Sequence, residues 1–498
     1  MIMNKDKLIQ EAVHSSLSFQ TRRHFLSECR TGMGMIALGS LLEGCNFFSS
    51  NDYSISGNDH PLSAKASPFY GKAKSVIFLH MAGAPSQLEM FDYKPDLYKL
   101  DGEDCPESFI QGKKFAFIRG VPKLLGPQAS FQQYGESGLW LSNHLPHFQS
   151  VVDEVTILKA VSTDQFNHAP AQLLMHCGTP RLGRPSMGSW VTYGLGTENS
   201  NLPGFVVLTS GGRNPDAGKS VWGSGFLPSV YQGVQCRSVG DPVLFLKDPE
   251  GFDRDMRKAS IDAINKVNEL SYQEYNDPEI LSRISQYEMA FNMQIAVPDV
   301  MNIMDEPEYI HRMYGTKPGK ESFANNALLA RKLVEKGVRF VQLFDWGWDS
   351  HGTDPGTALD QGFISKCIEN DKAVSALLLD LKQRGLLEET LVVWGGEFGR
   401  TPMQENRDGK QNSYKGRDHH SDAFCMWMAG AGIRKGFSFG ETDSIGYNAV
   451  EGKTSVYDIQ ATILHQLGFD HEKFTFPFQG RNFRLTDLFG KVIDPIIA

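Results

Sequence analysis

Continuous apolar runs punctuate the chain and set its expected architecture. They fall at Ala73–His80 (AKSVIFLH), Val155–Ser162 (VTILKAVS), Gly204–Ser210 (GFVVLTS), Val338–Phe344 (VRFVQLF), Thr390–Gly396 (TLVVWGG) and Ala423–Gly430 (AFCMWMAG). A strand with one wetted face alternates apolar and polar residues, whereas these runs do not, so they predict strands covered on both sides. Helical spacing appears between them. ESFANNALLARKLVEKG leads into the fourth run, with Gly337 placed to cap a helix. In SKCIENDKAVSALLLDLKQRG, Val374, Leu377, Leu378 and Leu381 share a helical face and Gly385 closes the segment. RPSMGSWVTYGLG reads as a helix and turn. From about residue 253 to 293 the pattern is helical throughout, with Ile261, Ile264 and Val267 on one face, and predicts an excursion from the sheet. The fold class expected is α/β: a mainly parallel sheet flanked by helices on both faces.

Composition narrows the function classes. With 498 residues, 41% hydrophobic and 21% charged, the chain can bury a large core. A net charge of -9 without any Lys/Arg cluster gives no footprint for nucleic acid. No apolar stretch reaches the roughly eighteen residues of a membrane span. The seven cysteines form no C-x-x-C pair, so neither a zinc ribbon nor a disulfide scaffold is indicated. Near the start, TRRHFL (Thr21–Leu26) precedes a glycine-broken apolar stretch and resembles a twin-arginine export signal. LLEGC resembles a lipobox ending at Cys45, with Glu43 unusual inside it. The expected layout is an export signal over 1–45, a Ser/Asn/Gly/Pro-rich linker over 46–72 and one α/β domain over 73–498. The expected location is the periplasm, reached by the twin-arginine route, with or without a lipid anchor at Cys45.

In sheets of this kind ligands bind beyond the carboxyl ends of the strands. Asp349 and His351 follow the fourth run; Glu397 and Arg400 follow the fifth; Asp418, His419 and His420 precede the sixth; His168 follows the second. Carboxylates and neutral imidazoles are ligands that suit divalent zinc, manganese or iron. A single Asp-x-His can be only a polar turn, but several such groups at neighbouring strand ends point to a metal site. Glu397 reads either as a ligand or as the partner of Arg400. Arg400 reads either as a bidentate anion contact or as a salt bridge. One of His419 and His420 is expected to face the site, with Asp418 orienting an imidazole. Trp346 and Trp348 read as packing.

GAPSQLEMFDYKP, DEPEYIHRMYG, WDSHG, GGEFGRTP and GRDHHSDAFCMWMAGAGIRKG closely resemble the exported bacterial family called domain of unknown function 1501, from about Lys72 onward. That family is related to sulfatases within the alkaline-phosphatase-like superfamily. The resemblance implies metal ligands at strand ends and a nucleophile at a helix N-terminus. Asp349 and His351 match the Asp…His ligand pair at narrower spacing, and His419 or His420 matches the late histidine. Glu397-Phe398-Gly399 stands where many members have Asp-His-Gly. The aspartate after the first strand is absent, since that strand ends Leu79-His80-Met81 with only Glu89 and Asp92 nearby. One ligand set survives, so a single divalent ion is expected, with zinc, manganese, iron and calcium not distinguished. HAPAQLLMHCG matches the frame Cys-x-Pro-x-Arg with His168 at the nucleophile position, as nucleophile, acid/base or ligand; Ser162 and Thr163 lie upstream. The function expected is metal-dependent hydrolysis of phosphate or sulfate esters, on a small molecule or a polysaccharide. The alternative is a non-catalytic descendant that binds a carbohydrate or a protein.

Overall fold

The computed structural model describes residues 61–113, 115–243, 253–407 and 409–498. The export signal and Cys45 lie outside these residues. Nine strands form the main sheet: β1 (Ser75–Ala82), β2 (Val155–Ser162), β3 (Phe205–Ser210), β4 (Val234–Cys236), β5 (Phe340–Trp346), β6 (Thr390–Gly395), β7 (Phe424–Ala429), β8 (Phe437–Phe439) and β9 (Thr454–Ser455). Their order is β8-β2-β7-β6-β1-β5-β3-β4, with β9 also on β2. The expected α/β class is what the chain adopts. Every pairing is parallel except those of β7, which runs antiparallel to both β2 and β6.

Both faces of the sheet are covered, which explains the unbroken apolar runs. Ile77, Leu79, Val341, Leu343, Val392 and Trp427 point into one core, packed beneath α4 (Pro278–Met301), α5 (Phe323–Glu335) and α6 (Gly362–Gln383). Val76, Phe78, Phe340, Phe344, Val393 and Met426 point into the other, beneath α1 (His168–Cys177), α2 (Met187–Leu195) and α7 (Val456–Gln466). Odd and even positions of each strand thus feed different cores. Gly337 and Gly385 follow α5 and α6 at positive φ, as expected of helix ends.

Two expectations change. Residues 61–72 are no linker: Leu62 is buried in the second core, Lys65 Nζ donates to the Tyr193 carbonyl at 3.0 Å, and Phe69 N donates to the Gly468 carbonyl. Ser/Gly/Pro content cannot separate a tether from an irregular segment laid onto a core. The helical excursion is a hairpin, α3 (Arg254–Tyr275) and α4, broken where Asn276 turns left-handed, Asp277 caps and Pro278 begins the next helix. Of the expected apolar face, Ile261 is buried while Ile264 and Val267 are exposed. The end of α4 instead sends Met293, Val297 and Val300 into the first core.

The antiparallel β7 matters for chemistry. Its reversed direction brings the segment before it to the edge where β1, β5 and β6 end. Ala82 pairs with Trp346, His80 with Gly395, and Phe424 with Val161, so these strand ends are in line.

The two faces predict opposite mutational outcomes. Leu343→Ala should lower the unfolding free energy by about 2–5 kcal/mol, and Val267→Ala should change it by less than about 0.5 kcal/mol. Urea titration followed by circular dichroism measures both, and a large loss at Val267 would mean that the α3 face is covered.

Candidate metal centre

Five segments meet at this edge. The turn after β1 carries Gly83; the loop after β5 carries Asp349 and His351; the loop after β6 carries Glu397 and Arg400; the segment before β7 carries His419; and α1 begins at His168. Close approach of backbones makes the meeting possible. A Cβ on Gly83 would lie 2.6 Å from the Asp349 nitrogen, and one on Gly416 would lie 2.0 Å from the His351 carbonyl carbon.

Asp349 Oδ1 is the centre of the arrangement. His351 Nε2 lies 2.9 Å from it, and His168 Nε2 and His419 Nε2 each lie 3.4 Å away. Arg400 donates to the same oxygen. The other ring nitrogens are committed. His168 Nδ1 donates to Glu397 at 2.7 Å, His419 Nδ1 to the Phe166 carbonyl at 2.6 Å, and His351 Nδ1 to Glu405. Since each partner can only accept, each Nδ1 carries the hydrogen, and each neutral ring presents an Nε2 lone pair. All three lone pairs face one carboxylate oxygen, and His351 Nε2 stands 3.1 Å from His419 Nε2. His168 Nε2 is buried with no hydrogen-bond partner. One proton could satisfy a single one of these contacts, whereas a divalent cation would satisfy the set. Ring nitrogens fixed through their other nitrogen by a carboxylate or carbonyl are the usual supports of a metal site.

The electrostatics are those of a region short of positive charge, in which ring protons stand where a cation would otherwise bind. Burial opposes ionisation of Asp349, but Arg400 and the three histidines hold its pKa far below the usual carboxylate range. Glu397, with no exposed surface, is likewise held down against burial by His168 and His80, and it also accepts from Gly83 N and Gln172 Nε2. Burial works against charge on His168, yet Asp349 and Glu397 outweigh it and push its pKa up to about 9. Burial dominates at His419, which falls to about 3. Phe398 packs on the rings of His168 and His419, and Phe117 stands edge-on to His351 and His419. The most exposed members of the cluster are Asp349 (28%) and His168 (15%).

The structure sorts the sequence candidates. His168, Asp349, His351 and His419 come together. His419 and His420 belong to a two-residue ribbon paired with Gly399–Arg400, and adjacent strand residues face opposite ways. His420 therefore points away, with its Nε2 bound to the Tyr447 carbonyl, and is not brought to the cluster. Arg400 is fully buried and spends four donors on the Ala84, Gly83 and Arg417 carbonyls and on Asp349, so it does not face a substrate. Glu397 does not pair with Arg400; it stands behind His168. Asp418 takes the N–H groups of Phe117, Ile118 and His419, and Glu405 those of Arg407 and Asn412. His351, Glu405 and Asp418 also lie close together, but these bonds make Glu405 and Asp418 supports.

Sequence reasoning missed several participants. Glu405 lies in a charged loop with no motif. His80 Nε2 contacts Glu397 Oε2 at 3.1 Å and His80 Nδ1 meets His176 Nε2 at 3.1 Å, forming a fully buried chain behind His168. Its signal was a histidine inside a buried strand. Trp348 packs in the core, but Trp346 is only half-buried beside the site, edge-on to His168 with ring centres 5.9 Å apart. The Arg213 guanidinium lies 3.6 Å over the Trp346 ring, and its side chain is 51% exposed.

Solved structures similar to the chain include a sulfatase from Pseudoalteromonas sp. (11% identity, TM-score 0.38, covering 85% of this chain and 72% of that one). Others are an alkaline phosphatase from the Antarctic bacterium TAB5 (10%, 0.32, 79% and 98%) and the lipoteichoic acid synthase LtaP from Listeria monocytogenes (10%, 0.35, 87% and 79%). No curated protein matches the chain. The model of a family described as protein of unknown function, DUF1501, matches residues 73–497, and the chain belongs to that family.

Proposed function

We propose that the protein hydrolyses phosphate or sulfate esters with one divalent ion held by His168, Asp349, His351 and His419. The observation that supports this is the convergence of three imidazole lone pairs on one carboxylate oxygen. When bound, such an ion supplies Lewis-acid polarisation of an ester oxygen. The chain's own groups do the rest. As the first residue of α1, His168 brings with it the unpaired N–H groups and positive dipole end of that helix, which suit a tetrahedral oxyanion. Arg213, exposed on the Trp346 ring and paired with Asp216 three residues on, is the solvent-facing arginine that can turn to that anion in place of Arg400. Glu397 fixes the ring of His168, and Arg400 keeps Asp349 ionised. Ser162 Oγ donates to the Thr454 carbonyl, and Thr163 Oγ1 accepts from Gln165 N. Among the described residues no hydroxyl or thiol bonds to the cluster, so water is the attacking group. The missing side-chain nucleophile also suits the second reading, a module that binds without turnover. A screen of aryl phosphates and aryl sulfates separates the two.

Purified protein should carry about one divalent ion per chain, and Asp349→Ala with His351→Ala should lose it. His420→Ala should keep it. Elemental analysis after exposure to zinc, manganese, iron and calcium decides; an empty wild-type protein would end the metal reading.

Arg213→Ala should lower kcat/KM for a hydrolysed ester about tenfold, chiefly through KM, with Arg213→Lys restoring only part. Metal content should not change. Equal kcat/KM in both variants would remove Arg213 from the site.

For location, we propose export by the twin-arginine route. Arg22→Lys with Arg23→Lys should leave a tagged precursor in the cytoplasm, and normal export of that variant would refute the route. The intact mass of the mature protein shows whether Cys45 is the acylated first residue.

A further inference from the structure

The same edge of the sheet carries a second concavity, one strand along from the cluster. A cleft of about 700 Å3 opens where β3 and β5 end, and no side chain of the metal cluster lines it. Its floor is electrostatically closed. Lys366 Nζ lies 2.8 Å from Asp345 and 3.1 Å from Glu369, and Asp345 also accepts from Ser210 Oγ and Trp348 Nε1. The rim differs: Lys317, Lys320 and Lys372 line it and make no ion pair among the described residues. One thin wall separates cleft from cluster. Gly211 and Gly212 line the cleft, and the next residue, Arg213, lies on the Trp346 ring that stands edge-on to His168. The Ala217 N–H, in the same loop, donates to Gln172 Oε1 while Gln172 Nε2 holds Glu397, so the wall is tied to the site.

We propose that this cleft is a second anion-binding subsite and that the substrate is a polyanionic oligosaccharide, with one ester group at the cluster and a further sulfate or phosphate group among Lys317, Lys320 and Lys372. The role of the cluster in this proposal rests on the ester-hydrolase reading; anion capture by the cleft does not. Three ammonium groups on long, flexible stems suit a tetrahedral anion presented at varying angles. Glu321 and Glu369 beside them suit sugar hydroxyls and oppose a densely charged nucleic-acid backbone. The aromatic rings of the lining, Tyr314 and Phe323, are buried, so no platform for stacked bases is offered.

The test uses a chondroitin sulfate hexasaccharide and its unsulfated counterpart, titrated calorimetrically into the full chain at about 0.15 M salt, where surface steering is screened. Wild-type protein should bind the sulfated form more tightly than the unsulfated one. Lys317→Glu, Lys320→Glu and Lys372→Glu together should weaken that binding about tenfold or more through lost charge-assisted contacts. The same charge change on α3, Arg254→Glu with Lys258→Glu and Lys266→Glu, should alter it less than about twofold. Absent binding to the wild type, unchanged binding in the cleft variant, or equal loss in the α3 variant would each overturn the proposal. Metal content measured on the same samples keeps the two readings apart: sulfated-probe binding by protein that holds no ion would leave the cleft standing and sink the metal centre.

Discussion

A guanidinium with no exposed surface must find acceptors for its donors, and Arg400 finds them on three separate loops. It donates to the Gly83 and Ala84 carbonyls after β1, to Asp349 after β5, and to the Arg417 carbonyl before β7. Its own backbone is gripped by Gln87, whose amide pairs with both its N–H and its carbonyl. Arg417 extends the same logic, forking onto Glu89 and donating to the Leu125, Gly126 and Thr401 carbonyls. Removing either arginine would leave several buried carbonyls without that donor and a carboxylate without its counter-charge, at a cost well above that of one hydrogen bond. Arg400 therefore fixes Asp349, the point around which the three rings, each held from behind by its own acceptor, are arranged.

The fold was legible because its cause is local in sequence. A strand covered on both faces must be apolar at every position, and all six long runs proved to be strands. Polar chemistry is then excluded from the sheet except at strand ends, so the gathering of His168, Asp349, His351, Glu397 and His419 followed from topology alone. The antiparallel β7 was not foreseen, yet it strengthens the pattern by bringing a preceding segment to the edge where the other strands finish.

What escaped the sequence depends on direction and contact. His419 and His420 are equivalent by composition, and only the pairing with Gly399–Arg400 decides which one turns inward. Arg400 and Arg213 are both arginines near a site, but one is fully enclosed and the other half-exposed. Nothing in GGEFGR announces four acceptors for its arginine, and nothing in SGGRNPD announces a tryptophan beneath. Glu405 supports His351 from 54 residues away, beyond the reach of any spacing argument.

Charge balance gives the cluster its character. Asp349, Glu397 and Glu405 are all held ionised, against one buried arginine and the half-exposed Arg407. Burying anions in excess of cations is costly, so the region needs further positive charge. Two sources are chemically available, protons on the rings or a bound cation, and they compete for the same Nε2 positions. The upward pull on His168 and His351 is the proton form of that demand. A cation meets it better, because protons would sit on separate rings while one ion could be shared between Asp349 Oδ1 and the ring nitrogens around it. The carboxylates behind the rings thus do two things at once: they fix the tautomers that aim the lone pairs, and they create the deficit that an ion fills.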